Sequence, residues 1–383
     1  MESNPTPPLF SQPPPLSPPP IITPPPPPPR KRRGWKIFAI VLLVLLVLCA
    51  FAFFNYVVSD LVTVTTGTHT RTGGPRLEEV ILEDNDSAHK IAVVEVVGII
   101  SQFTDGGGYN IVDVIKAQLK RAKEDKRVKA VLLKVNSPGG EVLASDDIYR
   151  AIAEFQKKPS GKPVIASMGS LAASGGYYVS APCRWIVAND LTITGSIGVI
   201  LNSWNYRGLM NKVGLRPQIY KSGRFKDMLS GERDLDNLTD AEKETLRAEE
   251  AMINDLIKQT FEKFKSAVAE GREFANSRNG KQGVTLSSDW EDYADGRVLT
   301  GSEAFKLGFV DELGDFEAAV KRAKEIAGIG DADLVQFKQR LDLADLFSLF
   351  GKSDAPVLKV DLGLEMPKLE AGRLYFLSPT FLH

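Results

Sequence analysis

The sequence predicts a layered α/β domain on a mostly parallel sheet, preceded by one membrane-spanning segment. Two observations carry this prediction. Between residues 89 and 330, short Val/Ile-rich runs alternate with amphipathic helical stretches. Before them, an apolar run without a charge extends from Ile37 to Phe54. Continuous apolar strands, as opposed to alternating ones, mark strands covered on both faces, and the βα alternation makes their connections right-handed crossovers. No segment repeats, so one such domain is expected in the 383 residues.

The elements follow in chain order. Residues 1–30 hold 15 of the 24 prolines, so residues 1–34 read as a disordered, partly polyproline II tail ending in the basic cluster Arg30–Arg33. A ligand for a proline-reading domain is the functional alternative for this tail. Residues 35–58 read as a transmembrane helix, since roughly 20 residues at about 1.5 Å each span a bilayer core. The basic cluster precedes it and none follows, which sets the N-terminus in the cytoplasm and the rest outside. Trp35 and Tyr56 fall near the two interfaces. A cleaved signal peptide is the rival reading, with Ala50-Phe51-Ala52 as a weak site, but the apolar run continues past it. Residues 59–88 read as a polar stalk and 89–330 as the folded domain.

Within that domain, strands are expected at 89–100, 128–136, 162–168, 184–189 and 195–200, with a further one in "RPQIYKSG" at 216–223. Helices are expected at 111–125, 145–158, from about Ser174, and around 203–213. Thr239 and Glu242 form a capping-box pattern. After them Leu246, Met252, Ile253, Leu256, Ile257, Phe261, Phe264 and Val268 recur at helical spacing to about Arg272. Such a stripe reads first as the core face of one long helix, and second as a surface for a neighbouring subunit. The C-terminal extension, 331–383, is less regular and is assigned no chemistry.

Composition narrows the function. The net charge is −1, which gives no reason to expect nucleic acid as a partner. Two cysteines, Cys49 in the apolar run and Cys183 in a core segment, are too few for a disulfide framework. The histidines are His69, His89 and His383, none of them inside the stretch that carries the motifs below.

Two turns are candidates for chemistry. "VNSPGGEV" (135–142) follows a strand, and Pro138, Gly139 and Gly140 suit a turn that aims a backbone N–H outward. "MGSLAASGGYYVS" (168–180) repeats that strand–turn–helix arrangement. Acyl transfer needs two such donors for the oxyanion, each worth on the order of 3 kcal/mol. If Ser174 attacks, the Gly175 N–H lies beside it and the Gly140 N–H supplies the second donor. A serine also needs a base. With no histidine nearby, a lysine is the alternative, provided burial or positive charge lowers its pKa from about 10.4. Lys221 and Lys226 of "YKSGRFKDMLSG" are the candidates.

"NSPGG", "MGSLAASGGYYVS", "TGSIGVI", "YKSGRFKD" and "ADGRVLTGSEAFKLGFVDELG" occur in one order over roughly residues 90–325. In this the chain resembles the signal peptide peptidase A family, in its short, single-domain, membrane-anchored form. The resemblance implies a Clp protease/crotonase-like α/β fold and a serine/lysine-dyad endopeptidase that degrades remnant signal peptides and other hydrophobic peptides, without metal or nucleotide. Carried over by motif, Ser174 is the nucleophile, Lys226 (and not Lys221) the base, Ser196 the residue that positions the lysine, and Gly140 and Gly175 the oxyanion donors. The resemblance further implies a homo-oligomeric ring in which Lys226 of one subunit serves Ser174 of another. Ser167 and Ser170 read as small packing residues, and Leu171 and Tyr177 as candidates for small to medium apolar specificity pockets. The alternatives are a crotonase-like acyl-CoA enzyme, or a silent membrane scaffold acting through its proline tail. The first needs a cytosolic ligand, and the second leaves the serine and lysine unused.

Overall fold

The computed structural model describes residues 41–43, 74–103, 109–157, 161–280, 282–339 and 375–377. The expected proline tail, most of the expected transmembrane helix and the stalk as far as residue 73 lie outside the described residues. Val41–Leu43, within the apolar run, are helical and exposed. Among the described residues no helix is long and apolar enough to cross a membrane. Residues from Gly73 onward form a unit by themselves.

A nine-stranded sheet organises that unit, with its main path β1-β10-β2-β3-β5-β6-β9. These strands are β1 (Leu77–Glu83), β2 (Lys90–Val97), β3 (Val128–Ser137), β5 (Val164–Ala172), β6 (Trp185–Ala188), β9 (Glu312–Leu313) and β10 (Asp333–Gln339). From β10 to β9 all pairings are parallel; β1 is antiparallel to β10. Short β7 (Ile193–Gly195) joins β5 and pairs with β8 (Val298–Thr300). The pleat sends alternate residues to opposite faces. Ala92, Val94, Val131, Leu133 and Val135 meet helices α1 (Ile111–Glu124), α2 (Val142–Phe155), α3 (Gly175–Ser180) and α5 (Asp240–Arg278). Ile91, Val93, Ala130, Leu132 and Val187 meet Ala319 and Ala323 of α7 (Phe316–Ala327). Both faces are therefore dry, which is why these strands lack polar alternation.

Several expectations need correction. Leu77–Glu83, expected in the stalk, is a strand, and β10, beyond the expected boundary at 330, lies between β1 and β2. The sheet thus draws on both flanks of the 89–330 span. "GSIGVI" is no continuous strand: β7 ends at Gly195, where positive φ at Gly195 (71°) and Ser196 (50°) breaks the ladder. "RPQIYKSG" forms no strand, and its adjacent apolar residues Ile219 and Tyr220 are exposed, so no sheet edge receives them. The expected helix at 203–213 is shortened to α4 (Arg207–Lys212).

Helix α5 begins as expected, with Thr239 and Glu242 forming a reciprocal capping box. Its stripe divides in two. Phe264 and Val268 are buried in the core, whereas Met252 and Leu256 are exposed at 42% and 46%. The N-terminal half therefore carries an uncovered apolar face.

Candidate active site

The site forms where β3 and β5 end. The Asn136 side chain accepts from the Leu171 N–H at 3.2 Å, and the Ser137 carbonyl accepts from Ala173 N–H at 3.1 Å. These bonds splice the two strand ends together. After Pro138 the chain turns through Gly139, at φ 104°, into β4 (Gly139–Glu141). After β5 it turns through Ser174, at φ 55° and ψ −117°, into α3. A non-glycine residue at such dihedrals stores on the order of 1–3 kcal/mol and persists only where its surroundings enforce it. Here the Ser174 N–H donates to the Gly195 carbonyl at 2.8 Å, and its own carbonyl accepts from Tyr178 N–H at 2.8 Å. Ser174 is 1% exposed.

The two glycine turns meet. A Cβ placed on Gly175 would fall 3.0 Å from the Gly140 nitrogen and 2.7 Å from Ser145 Oγ. A Cβ on Gly139 would fall 2.6 Å from the Gly175 nitrogen. The turns pack too closely for a Cβ at Gly139 or Gly175, and the backbone nitrogens of Gly140 and of Gly175, which follows Ser174 in the chain, are thereby brought near one another. Two amides converging on a strained serine can hold an oxyanion.

Ser196 belongs to the same cluster through its neighbour Gly195. It is 5% exposed, and its N–H donates to the Arg297 carbonyl at 2.7 Å. It borders a cleft of about 630 Å³ lined also by Ile200, Ile257, Lys258, Phe261 and Asp295.

Lys226 is not brought to this cluster within the chain. It lies exposed in a run of turns at 222–229, and among the described residues its side chain makes no hydrogen bond or ion pair. Lys221 is engaged, with its ammonium 2.7 Å from Asp227 Oδ1. Asp227 also faces Arg233 at 3.2 Å, and Arg233 clasps buried Glu249 of α5 through bonds of 2.6 and 2.9 Å. Burial opposes ionisation of Asp227, but the Lys221 hydrogen bond and the Arg233 charge outweigh it and hold its pKa below the usual carboxylate value. The lysine turn is thus fastened to α5 at Glu249, whereas the Ser174 helix meets α5 at Phe264, whose ring contacts Tyr178. Fifteen helical positions separate the two anchors, about 22 Å along the axis.

Three smaller expectations change. Ser170 is exposed and does not pack under the turn, whereas Ser167 is 5% exposed. Tyr177 is fully buried: its hydroxyl donates to the Phe309 carbonyl at 3.0 Å within the core, where burial raises its pKa. Leu171 pairs with Ile193 and is half-buried. Ser145 and Glu141 also belong to this region, and no sequence motif marks them. Ser145 Oγ is buried without a hydrogen-bond partner among the described residues. The Glu141 carboxylate accepts from Gln102 N–H at 2.7 Å and Ser101 Oγ at 3.1 Å, fixing the segment after Ile100 against β4. Neither residue sits in a pattern that distinguishes it from an ordinary helix-start Ser or Glu.

Comparison with known proteins places this geometry. The Peptidase family S49 model matches residues 156–330, and the Clp protease model matches 96–187. A protein of Enterococcus faecium named "Putative signal peptide peptidase SppA" is 33% identical over 70% of this chain and 72% of its own length. The chain belongs to peptidase family S49. Other relatives are protease 4 of Haemophilus influenzae, 34% identical over 64% of this chain and 36% of its own, and the chloroplastic serine protease SPPA of Arabidopsis thaliana, 31% identical over 72% and 38%. This S49 chain is accordingly a serine-type peptidase on a parallel-rich α/β sheet.

Proposed function

We propose that the protein is a membrane-anchored endopeptidase that degrades remnant signal peptides and other hydrophobic peptides with a Ser174/Lys226 dyad shared between subunits. The observation that carries this reading is the strained Ser174 beside the converging amides of Gly140 and Gly175. In this mechanism Ser174 Oγ attacks the scissile carbonyl and its proton passes to the neutral Lys226 amine. The oxyanion rests on the two glycine N–H groups. Lys226 then protonates the leaving amine, and water, deprotonated by Lys226, releases the acyl group. Ser196, one residue beyond the carbonyl that holds Ser174, orients the lysine amine.

A lysine works as a base only where it is desolvated or held near positive charge. Within one chain Lys226 is exposed and anchored about 22 Å along α5 from the Ser174 helix. In this reading a second copy inserts its lysine turn toward Ser196, which desolvates the amine and brings it to the serine. The exposed Met252 and Leu256 on α5 offer apolar surface for such assembly. Anchoring rests on the charge-free run Ile37–Phe54 behind Arg30–Arg33, which puts the catalytic domain outside the cytoplasm, where peptides leave the bilayer. The test is cleavage of a fluorogenic hydrophobic peptide by the purified protein. Ser174→Ala and Lys226→Met should each abolish cleavage, and full cleavage by either variant overturns the dyad.

A further inference from the structure

Strand β7 is joined to β5 by a single residue pair, Leu171 opposite Ile193, and its ladder stops where Gly195 and Ser196 take positive φ. Yet the Gly195 carbonyl, beyond that one pair, receives the Ser174 N–H at 2.8 Å. Two threonine side chains complete the join. Thr192, just before β7, and Thr194 within it are two residues apart and so share a face of the strand. Both donate their hydroxyls to carbonyls of β5, Thr192 Oγ1 to Gly169 at 2.8 Å and Thr194 Oγ1 to Ala172 at 2.7 Å. Their exposures are 1% and 0%, so water competes for neither bond.

The place of the Thr194 bond sets it apart. Ala172 lies two residues before Ser174, and Thr194 lies directly before Gly195. The Thr194–Ala172 and Ser174–Gly195 bonds therefore close a small ring through Ala172, Ala173, Ser174, Gly195 and Thr194. On the far side β8 holds the same turn, with Gly195 opposite Val298 and the Ser196 N–H bonded to the Arg297 carbonyl. Among the described residues, Thr194 supplies the one side chain of 194–196 that bonds to β5. A β-branched residue has few χ1 rotamers, so packing of the methyl also aims the hydroxyl.

We propose that Thr194 is a positioning residue for peptide cleavage: its buried hydroxyl fixes the Gly195 carbonyl against β5, and with it both the strained Ser174 and the neighbouring Ser196. The proposal rests on the reading of Ser174 as the nucleophile, so one of its two readouts does not involve turnover. Valine keeps the branched shape and removes the donor, whereas serine keeps the donor. Hydrogen–deuterium exchange at the Ser174 amide, resolved by fragmentation mass spectrometry on the full-length protein, is compared between the parent, Thr194→Val, Thr194→Ser and Thr192→Val. The last removes an equally buried hydroxyl from the same face and serves as the structural control.

Thr194→Val should speed exchange at the Ser174 amide on the order of tenfold with the β2 amides unchanged, and Thr194→Ser should restore most of the protection. With a hydrophobic peptide as substrate, Thr194→Val should lower kcat on the order of 10²-fold at nearly constant KM, as a small misplacement of the nucleophile does. Thr194→Ser should recover most of that loss. Thr192→Val should melt below the parent yet keep kcat within about threefold. Thr194→Ala also lacks the hydroxyl and should behave as Thr194→Val, so the result does not depend on how valine fits. Unchanged Ser174 exchange in both hydroxyl-free variants overturns the proposal, as does faster exchange with kcat retained, or an equal loss of kcat in Thr192→Val. Faster exchange in variants of a parent that shows no turnover contradicts Ser174 as the nucleophile and leaves the hold of Thr194 on the turn standing.

Discussion

The backbone N–H of Ser174 donates to the carbonyl oxygen of Gly195 at 2.8 Å, joining two turns that both run through positive φ. The bond holds Ser174 at 55° against the Gly195-Ser196 pair at 71° and 50°. The hydroxyl assigned to attack and the hydroxyl assigned to orient the lysine are thus positioned by one backbone contact.

That strain has a measurable consequence. Glycine adopts the Ser174 dihedrals without a Cβ penalty, whereas alanine retains it. Ser174→Gly should be inactive yet more stable than Ser174→Ala by about 1 kcal/mol, or roughly 2–4 °C in Tm for a domain of this size. Thermal melts of the two variants decide it, and a Ser174→Gly protein that melts below Ser174→Ala contradicts the strain.

Gly140 is constrained by contact. A Cβ there would fall 1.9 Å from the Ile100 carbonyl oxygen, so β4 must shift and carry the Gly140 N–H with it. Loss of one oxyanion donor costs about 10²–10³ in kcat. Gly140→Ala should show at least that loss in peptide cleavage, and a kcat near the parent value would remove Gly140 from the oxyanion site.

Much of this was legible in the sequence, and the failures share one cause. The strands buried on both faces announced themselves as continuous Val/Ile runs, and Thr239 with Glu242 marked the start of α5 within a residue. The Ser-Gly-Gly and Pro-Gly-Gly turns were readable from their glycines, which serve a positive φ at Gly139 and close backbone contact at Gly140, Gly175 and Gly176. What escaped depended on long-range partners. Ile219 and Tyr220 carry a strand-like pattern but find no edge to join, while β1 and β10 earn their places only by pairing with each other and β2. The pairing of β11 (Tyr375–Leu377) with β4 joins segments more than 230 residues apart, and no local pattern encodes it.

The lysine turn should respond to acid. The folded-state pKa of Asp227 is lowered, so its contribution is fully present above the ordinary carboxylate pKa of about 3.9 and lost as pH falls through its lower folded value. The Tm gap between parent and Asp227→Asn should therefore be constant from about pH 5 to 8 and close below about pH 4. Glu249→Ala removes both Arg233–Glu249 bonds but leaves Asp227 beside Arg233, so it should cost about 1–2 kcal/mol. A Tm gap that widens on acidification contradicts the ion-pair account.

The central claim, that one subunit's Lys226 serves another's Ser174, is tested most directly by mixing the two inactive variants. Ser174→Ala and Lys226→Met proteins, dissociated, combined and reassembled, contain sites in which an intact Ser174 faces an intact Lys226 across an interface. The account predicts that the mixture recovers peptide cleavage while each variant alone stays inactive. Co-assembly shown by mass, with no recovery of cleavage, would place both residues in one subunit and contradict it.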